Sequence, residues 1–222
     1  MARSIPLVIP CLVLPGLVAV LAGDGPPPAP ASEAREPPLI FRLEVDGRAH
    51  RIEPDRPLKL PTGAGTTTVT LRVEPHRVFA YGGLHFHYPR SYAFEADLRS
   101  PELSRWTLDG DDCVLMVFRF PGQTDPERVL QSSVREMRRQ FGGLHVQQSD
   151  TTLALDGRKL AGKELRVELA GQRLVQSFYA VRAGDAAVVL VIQDTPRPGG
   201  DPSPDRVRAE EMLARTFRVA DE

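Results

Sequence analysis

Two histidines stand two residues apart in Leu84-His85-Phe86-His87-Tyr88. In an extended segment successive side chains alternate, so both imidazoles project from one face. Such a pair ligates Zn or Cu when a third ligand is near, and His76 and His145 are the candidates for that place. The competing reading is alternation alone, with Leu84, Phe86 and Tyr88 facing the core and the histidines facing away. A Zn or Cu site at His85 and His87 is the one positive chemical expectation, and no other cofactor is indicated. His50 reads as incidental.

Cys113 is the next candidate. A reactive thiol needs cationic surroundings to lower its pKa. Here the nearby charges are Asp109, Asp111 and Asp112. The run Cys113-Val114-Leu115-Met116-Val117-Phe118 is apolar throughout, so a buried core thiol is expected. Arg135, Arg138 and Arg139 fall on the polar side of one helical pattern, with Glu136 among them. They offer an anion or partner patch, against the plainer reading of a solvated helix face.

Other chemistries are missing. No Gly-x-Ser-x-Gly occurs. Gly63-Ala64-Gly65 lacks the third glycine and following helix of a dinucleotide fingerprint and reads as a turn. Asp109-Gly110-Asp111-Asp112 lacks the spacing and distal Glu of a calcium loop and reads as a hairpin turn. Glu210 and Glu211 are neighbours on a helix and so do not face each other. No catalytic constellation emerges, and a non-enzyme is expected.

Composition is ordinary for a globular chain. The 222 residues carry 28 Lys+Arg and 29 Asp+Glu, with 41% hydrophobic and 26% charged residues. A net charge of −1 argues against binding nucleic acid through a strongly basic face. No internal apolar run approaches about 20 residues, so no transmembrane span is expected in the mature chain. Only Lys59, Lys159 and Lys163 are lysines and asparagine is absent, which reads as compositional bias and leaves no N-glycosylation acceptor.

Residues 1–22 read as a signal peptide. Arg3 precedes an uncharged stretch from Ile5 to Leu21, and Ala22 offers a small residue at the cut. Pro6, Pro10, Pro15 and Gly16 argue against a retained anchor helix. Cleavage near Ala22 would remove Cys11, leave Cys113 alone and place the protein in a periplasm or outside the cell. Residues 23–38, with Pro26, Pro27, Pro28, Pro30, Pro37 and Pro38, read as a linker.

The elements that must position these residues follow. A β segment spans 39–80, with a hairpin at Asp46-Gly47 and an alternating strand from Thr66 to Val73. An α+β domain spans 81–222. Short strands are expected at Tyr92 to Phe94 and Arg105 to Leu108, and a long apolar one at Asp112 to Phe120. Thr124 and Glu127 suggest a capping box for a helix carrying Val129, Leu130, Val134, Met137 and Phe141 at helical spacing. An antiparallel meander follows, turning at Asp156-Gly157, Gly171-Gln172 and Gly184-Asp185. Ser203 and Pro204 open a last helix with Val207, Met212 and Leu213 on its apolar side, and Phe217 closes the core. The order predicts an antiparallel sheet covered by two helices.

Several of these residues also carry a family likeness. From His85 to Val219 the chain resembles the PsbP-like fold group of small exported proteins. The likeness rests on Tyr88-Pro89 followed by Tyr92, the helix from Thr124 to Phe141, the turn Leu155-Asp156-Gly157-Arg158 and the ending Arg215-Thr216-Phe217. It implies an α/β/α sandwich and a binding or assembly role, and carries over no functional residue. The leading expectation is an exported non-catalytic binding or scaffolding domain acting on an envelope or secreted protein, or on a ligand. Metal binding or delivery through His85 and His87 comes second, and an enzyme of unrecognised type third.

Overall fold

A computed structural model describes residues 31–52, 69–123, 125–142, 146–155, 158–169 and 171–219. The expected signal peptide, its cut near Ala22, Cys11, Gly63-Ala64-Gly65, His145 and the turn Asp156-Gly157 lie outside these residues. Among the described residues no helix is long and apolar enough to cross a membrane.

The mixture of antiparallel strands and two helices makes this an α+β fold. Its centre is a pair of apolar strands, β8 (Cys113–Pro121) and β12 (Ala186–Asp194), which pair antiparallel. Around them run β6 (Ala93–Ser100), β7 (Leu103–Asp109), β9 (Val146–Leu155), β10 (Arg158–Leu169) and β11 (Gln172–Ala183). The seven strands lie in the order β6-β7-β8-β12-β11-β10-β9, all neighbours antiparallel.

Alternation along β8 sorts its side chains between two cores. Val114, Met116, Phe118 and Phe120 join Val129, Leu130, Val134 and Met137 of α1 (Pro126–Gln140). Cys113, Leu115 and Val117 join Ala209 and Leu213 of α2 (Pro204–Thr216), followed by Phe217. That second face is shared with a hairpin of β4 (His76–Tyr81) and β5 (Leu84–Pro89), edged by the short β13 (Arg218–Val219). Phe79, Leu84, Phe86 and Tyr88 of the hairpin are buried there. Burying each such side chain contributes about 1.5–3 kcal/mol. The expected single sheet is thus joined by a three-stranded sheet, β13-β5-β4, which helps α2 cover one face.

A third small sheet precedes these. Its strands β1 (Phe41–Val45), β2 (Arg48–Ile52) and β3 (Val69–Val73) lie in the order β2-β1-β3. Asp46 and Gly47, both with positive φ, form the tight turn expected between β1 and β2.

Local readings change in three places. The N-cap of α1 is Asp125, whose Oδ1 accepts from the Arg128 amide at 3.2 Å. A carboxylate there also suits the positive end of the helix dipole, an advantage Thr124 lacks. The strands around Phe94 and Trp106 are longer than expected, because each interleaves polar residues that hide the run in a single sequence. On α2, Val207 is 41% exposed and Arg206 takes the buried position beside Ala209 and Leu213. The facing strands present carboxylates there, which an arginine satisfies and a valine cannot.

The Pro-rich segment also differs from a spacer from Ala31 onward. Trp106, fully buried, donates from Nε1 to the Glu33 carbonyl at 2.9 Å. The Tyr81 hydroxyl donates to the Arg35 carbonyl at 2.6 Å, and Arg77 donates to the Pro37 carbonyl at 2.7 Å. Arg77 also pairs with Glu36 at 2.7 Å. The buried Trp106 donor needs an acceptor, and this strap supplies it. Replacing Trp106 with Phe is expected to cost about 1 kcal/mol in a urea titration. Amide exchange over residues 31–38 should rise selectively; a strap exchanging as before would contradict its attachment through this bond.

Candidate functional site

Register places the histidines. Val78 of β4 lies opposite His87 of β5, which brings His76 onto the same face of the hairpin. The His76 and His87 rings stack 4.2 Å apart at 8°, and His85 lies 6.2 Å from His87. Stacked rings send their in-plane lone pairs side by side, so a shared metal about 2.0–2.1 Å from each nitrogen would require one ring to turn. Among the described residues no group of three or more His, Cys, Asp or Glu side chains is placed to hold a metal. His76 and His87 also line a cavity of about 330 Å³ with Phe41, Arg42, Ala49 and Glu74, between the hairpin and the small sheet.

Cys113 is a core residue, fully buried, with its thiol in hydrogen-bond contact with the Tyr92 side chain. Burial pushes its thiol up to about 12, the opposite of an activated nucleophile. The acidic turn is an anchored hairpin: Asp205 of α2 accepts the amides of Asp111 and Asp112 at 3.1 and 3.3 Å. Of the α1 arginines, Arg139 pairs with Glu136 at 2.8 Å and Arg138 bonds Gln148 at 3.4 Å. With Arg135 and Lys163 they line a wide groove of about 620 Å³.

One polar cluster was not visible in the sequence. Glu164 lies opposite Ser177 in the β10–β11 ladder, and Asp194 ends β12 on the same face, beneath α2. Arg206 drops into this group. Its Nε donates to Glu210 at 2.8 Å and its Nη2 to Ser177 at 3.2 Å, with Glu164 at 3.6 Å and Asp194 at 4.0 Å. Glu164 also receives the Ser177 hydroxyl at 3.1 Å and the Arg166 Nε at 2.8 Å. Ser177 is fully buried beneath this arginine, so its bond to a carboxylate does not make it an accessible nucleophile. The available clue was a charged residue at the apolar spacing of Ala209 and Leu213.

The small sheet is the opposite case. Strand pairing puts Phe41, Leu43 and Val45 of β1 beside Val73, Leu71 and Val69 of β3 on one face, with Ile52 on the far side of Phe41. No β1, β2 or β3 side chain that is described is buried. Val69, Leu71 and Val73 are 54%, 60% and 36% exposed. Among the described residues β3 also ends its sheet, leaving one row of backbone donors and acceptors without a strand beside it.

No family model and no curated protein matches the chain. Solved structures resemble it weakly. The Saccharomyces cerevisiae Ran-binding protein Mog1p is 14% identical, with a TM-score of 0.43 over 66% of this chain and 96% of that one. A mutant of Mog1 gives 14% identity and a TM-score of 0.44 over the same shares. A Bacteroides thetaiotaomicron protein gives 14% and 0.43 over 67% of this chain and 50% of that one. Likeness at this level transfers no role.

The buried cluster makes a sharp stability expectation. Arg206→Met should cost about 3–5 kcal/mol near neutral pH, because Glu164 and Asp194 lose their buried cation. Burial already raises the Asp194 carboxyl. Protonation below its folded pKa discharges it, so the cost should shrink as pH falls toward 4 in parallel urea titrations. An equal loss at both pH values would show that packing, not charge, is what Arg206 supplies.

Proposed function

We propose that this chain is an exported, non-catalytic binding domain of the PsbP-like α/β/α type. It holds another cell-envelope or secreted protein by the β3 edge. Residues 1–22 are its signal peptide, β1 to β3 of the 39–80 segment carry the docking sheet, and β4 with 81–222 makes the supporting body. The exposed Val69-Leu71-Val73 face, on an edge that no other described strand pairs, carries this reading. A five-residue edge with no proline or bulge invites strand addition: main-chain bonds give affinity and alternate side chains give specificity. The partner segment is therefore extended and apolar at every second residue. Phe41, Leu43 and Val45 continue the apolar floor beside it.

The test is site-specific photocrosslinking from position 71 in the protein's own host, followed by binding measurements with the partner so identified. The mature chain, starting at Gly23, should form one discrete crosslinked species in the envelope fraction. Leu71→Asp should weaken the purified complex at least tenfold while changing stability by under about 0.5 kcal/mol, as expected of an exposed site. Unchanged affinity would sink the assignment of β3.

A second reading makes His85 and His87 a Zn or Cu site, with His76 close enough to supply a third imidazole once its ring turns out of the stack. Zinc titration should then saturate at one equivalent and fail in a His85→Ala, His87→Ala double variant. Equal zinc uptake by both proteins would remove it.

A further inference from the structure

The segment that would dock at β3 is extended and apolar at every second residue. β3 itself meets that description. It reads Val69-Thr70-Leu71-Arg72-Val73, with its apolar residues symmetric about Leu71. Laid antiparallel on a second copy and centred on Leu71, it sets Val69 opposite Val73, Thr70 opposite Arg72 and Leu71 opposite Leu71. Directly opposed residues share a face and touch. Every apolar residue of β3 then meets an apolar one, and no like charges are opposed.

Other registers fit less well. A slip of one residue sets apolar side chains opposite polar ones. Centring on Arg72 opposes two arginines, which destabilises a strand pair. Centring on Thr70 leaves Arg72 and Val73 with no β3 residue opposite. The five residues therefore select a single alignment.

The charges on the other face agree. Within its own sheet Arg72 lies opposite Arg42, which Glu74 holds at 2.8 Å. Glu44 reaches Arg72 only at 3.9 Å, and Thr70 lies opposite Glu44. The two-fold alignment sets Arg72 of one copy beside Thr70 of the other, one strand away from that copy's Glu44. The basic end of each sheet so meets the acidic end of the other. Among the described residues the edge carries no proline, lysine or bulge to discourage pairing.

Resting on the β3 assignment, we infer that a second copy of this chain is the competing occupant of the edge. Two β3 strands pair antiparallel across a two-fold axis at Leu71. The sheets join in the order β2-β1-β3-β3-β1-β2, and Phe41, Leu43 and Val45 of both copies continue the apolar face. The interface uses the same surface on each copy, so it closes as a dimer. Five paired residues a side bury far less than the roughly 800 Å² per partner of a stable interface. The dimer is therefore weak. The dilute chain is a monomer with an open edge, and a tighter-binding partner displaces the second copy.

Cysteine placement reads the register directly. In the chain starting at Gly23, Cys113 is the one native cysteine, and it is buried. Opposed Cα atoms lie about 4.5–5.5 Å apart, within disulfide reach. Leu71→Cys should therefore oxidise to a covalent dimer. Val69→Cys alone should not, because its two copies lie about 13 Å apart along the strands. Val69→Cys mixed with Val73→Cys should. Sedimentation of the unsubstituted chain should give monomer at about 5 µM and dimer at about 500 µM, the range of a small contact. Thr70→Arg suits Glu44 in its own sheet but opposes Arg72 of the second copy. It should weaken the dimer about fivefold or more through two like-charged pairs, with the urea midpoint unchanged. A monomer at every concentration, a Leu71→Cys disulfide no faster than that of Val69→Cys, or a dimer indifferent to Thr70→Arg would each overturn the inference. A heterologous adduct at position 71 on a chain that stays monomeric would remove self-pairing and leave the β3 assignment standing. A self-dimer as the sole adduct would do the reverse.

Discussion

The pairing of β8 with β12 sets the terms for the rest of the chain. Both strands are buried on both faces, so neither side of the sheet can be left to solvent. α1 covers one side with Val129, Leu130, Val134 and Met137. The other side needs more cover than the thirteen-residue α2 provides, and the β4–β5 hairpin supplies the remainder through Phe79, Phe86 and Tyr88. Seating α2 there places its first turn over the polar end of β10, β11 and β12. A buried arginine follows from that position, because Glu164 and Asp194 would otherwise sit in the interior as unpaired charges.

Elements defined by local periodicity were legible in advance. The apolar spacing of α1, the Ser203 cap of α2 and the turns at Gly171 and Gly184 all stand as read. So does the buried Cys113 strand. Features decided by distant partners were not legible. The strap over Trp106 depends on an indole seeking an acceptor more than 70 residues away. The stack of His76 on His87 depends on the register of one hairpin, in which Val78 rather than His76 lies opposite His87. Alternation in β3 was plain from Thr66 to Val73, yet alternation cannot say whether the apolar face finds cover within the chain.

The molecule therefore divides by burial. The body is densely cored on both faces of its long sheet and spends its buried charges on one another around Arg206. The β1–β3 sheet has no buried described side chain and keeps its apolar face outward. A three-stranded sheet gains independent stability only by covering such a face. That contrast between a satisfied body and an unsatisfied sheet is the physical basis for assigning recognition to β3.

Hydrogen exchange at the β3 amides, with and without the crosslinked partner, tests this most directly. The account predicts fast exchange at residues 69–73 in the isolated chain, far faster than in β8, and strong protection there in the complex. Exchange as slow as that of β8 in the isolated chain, or a complex that leaves β3 unprotected, would contradict it.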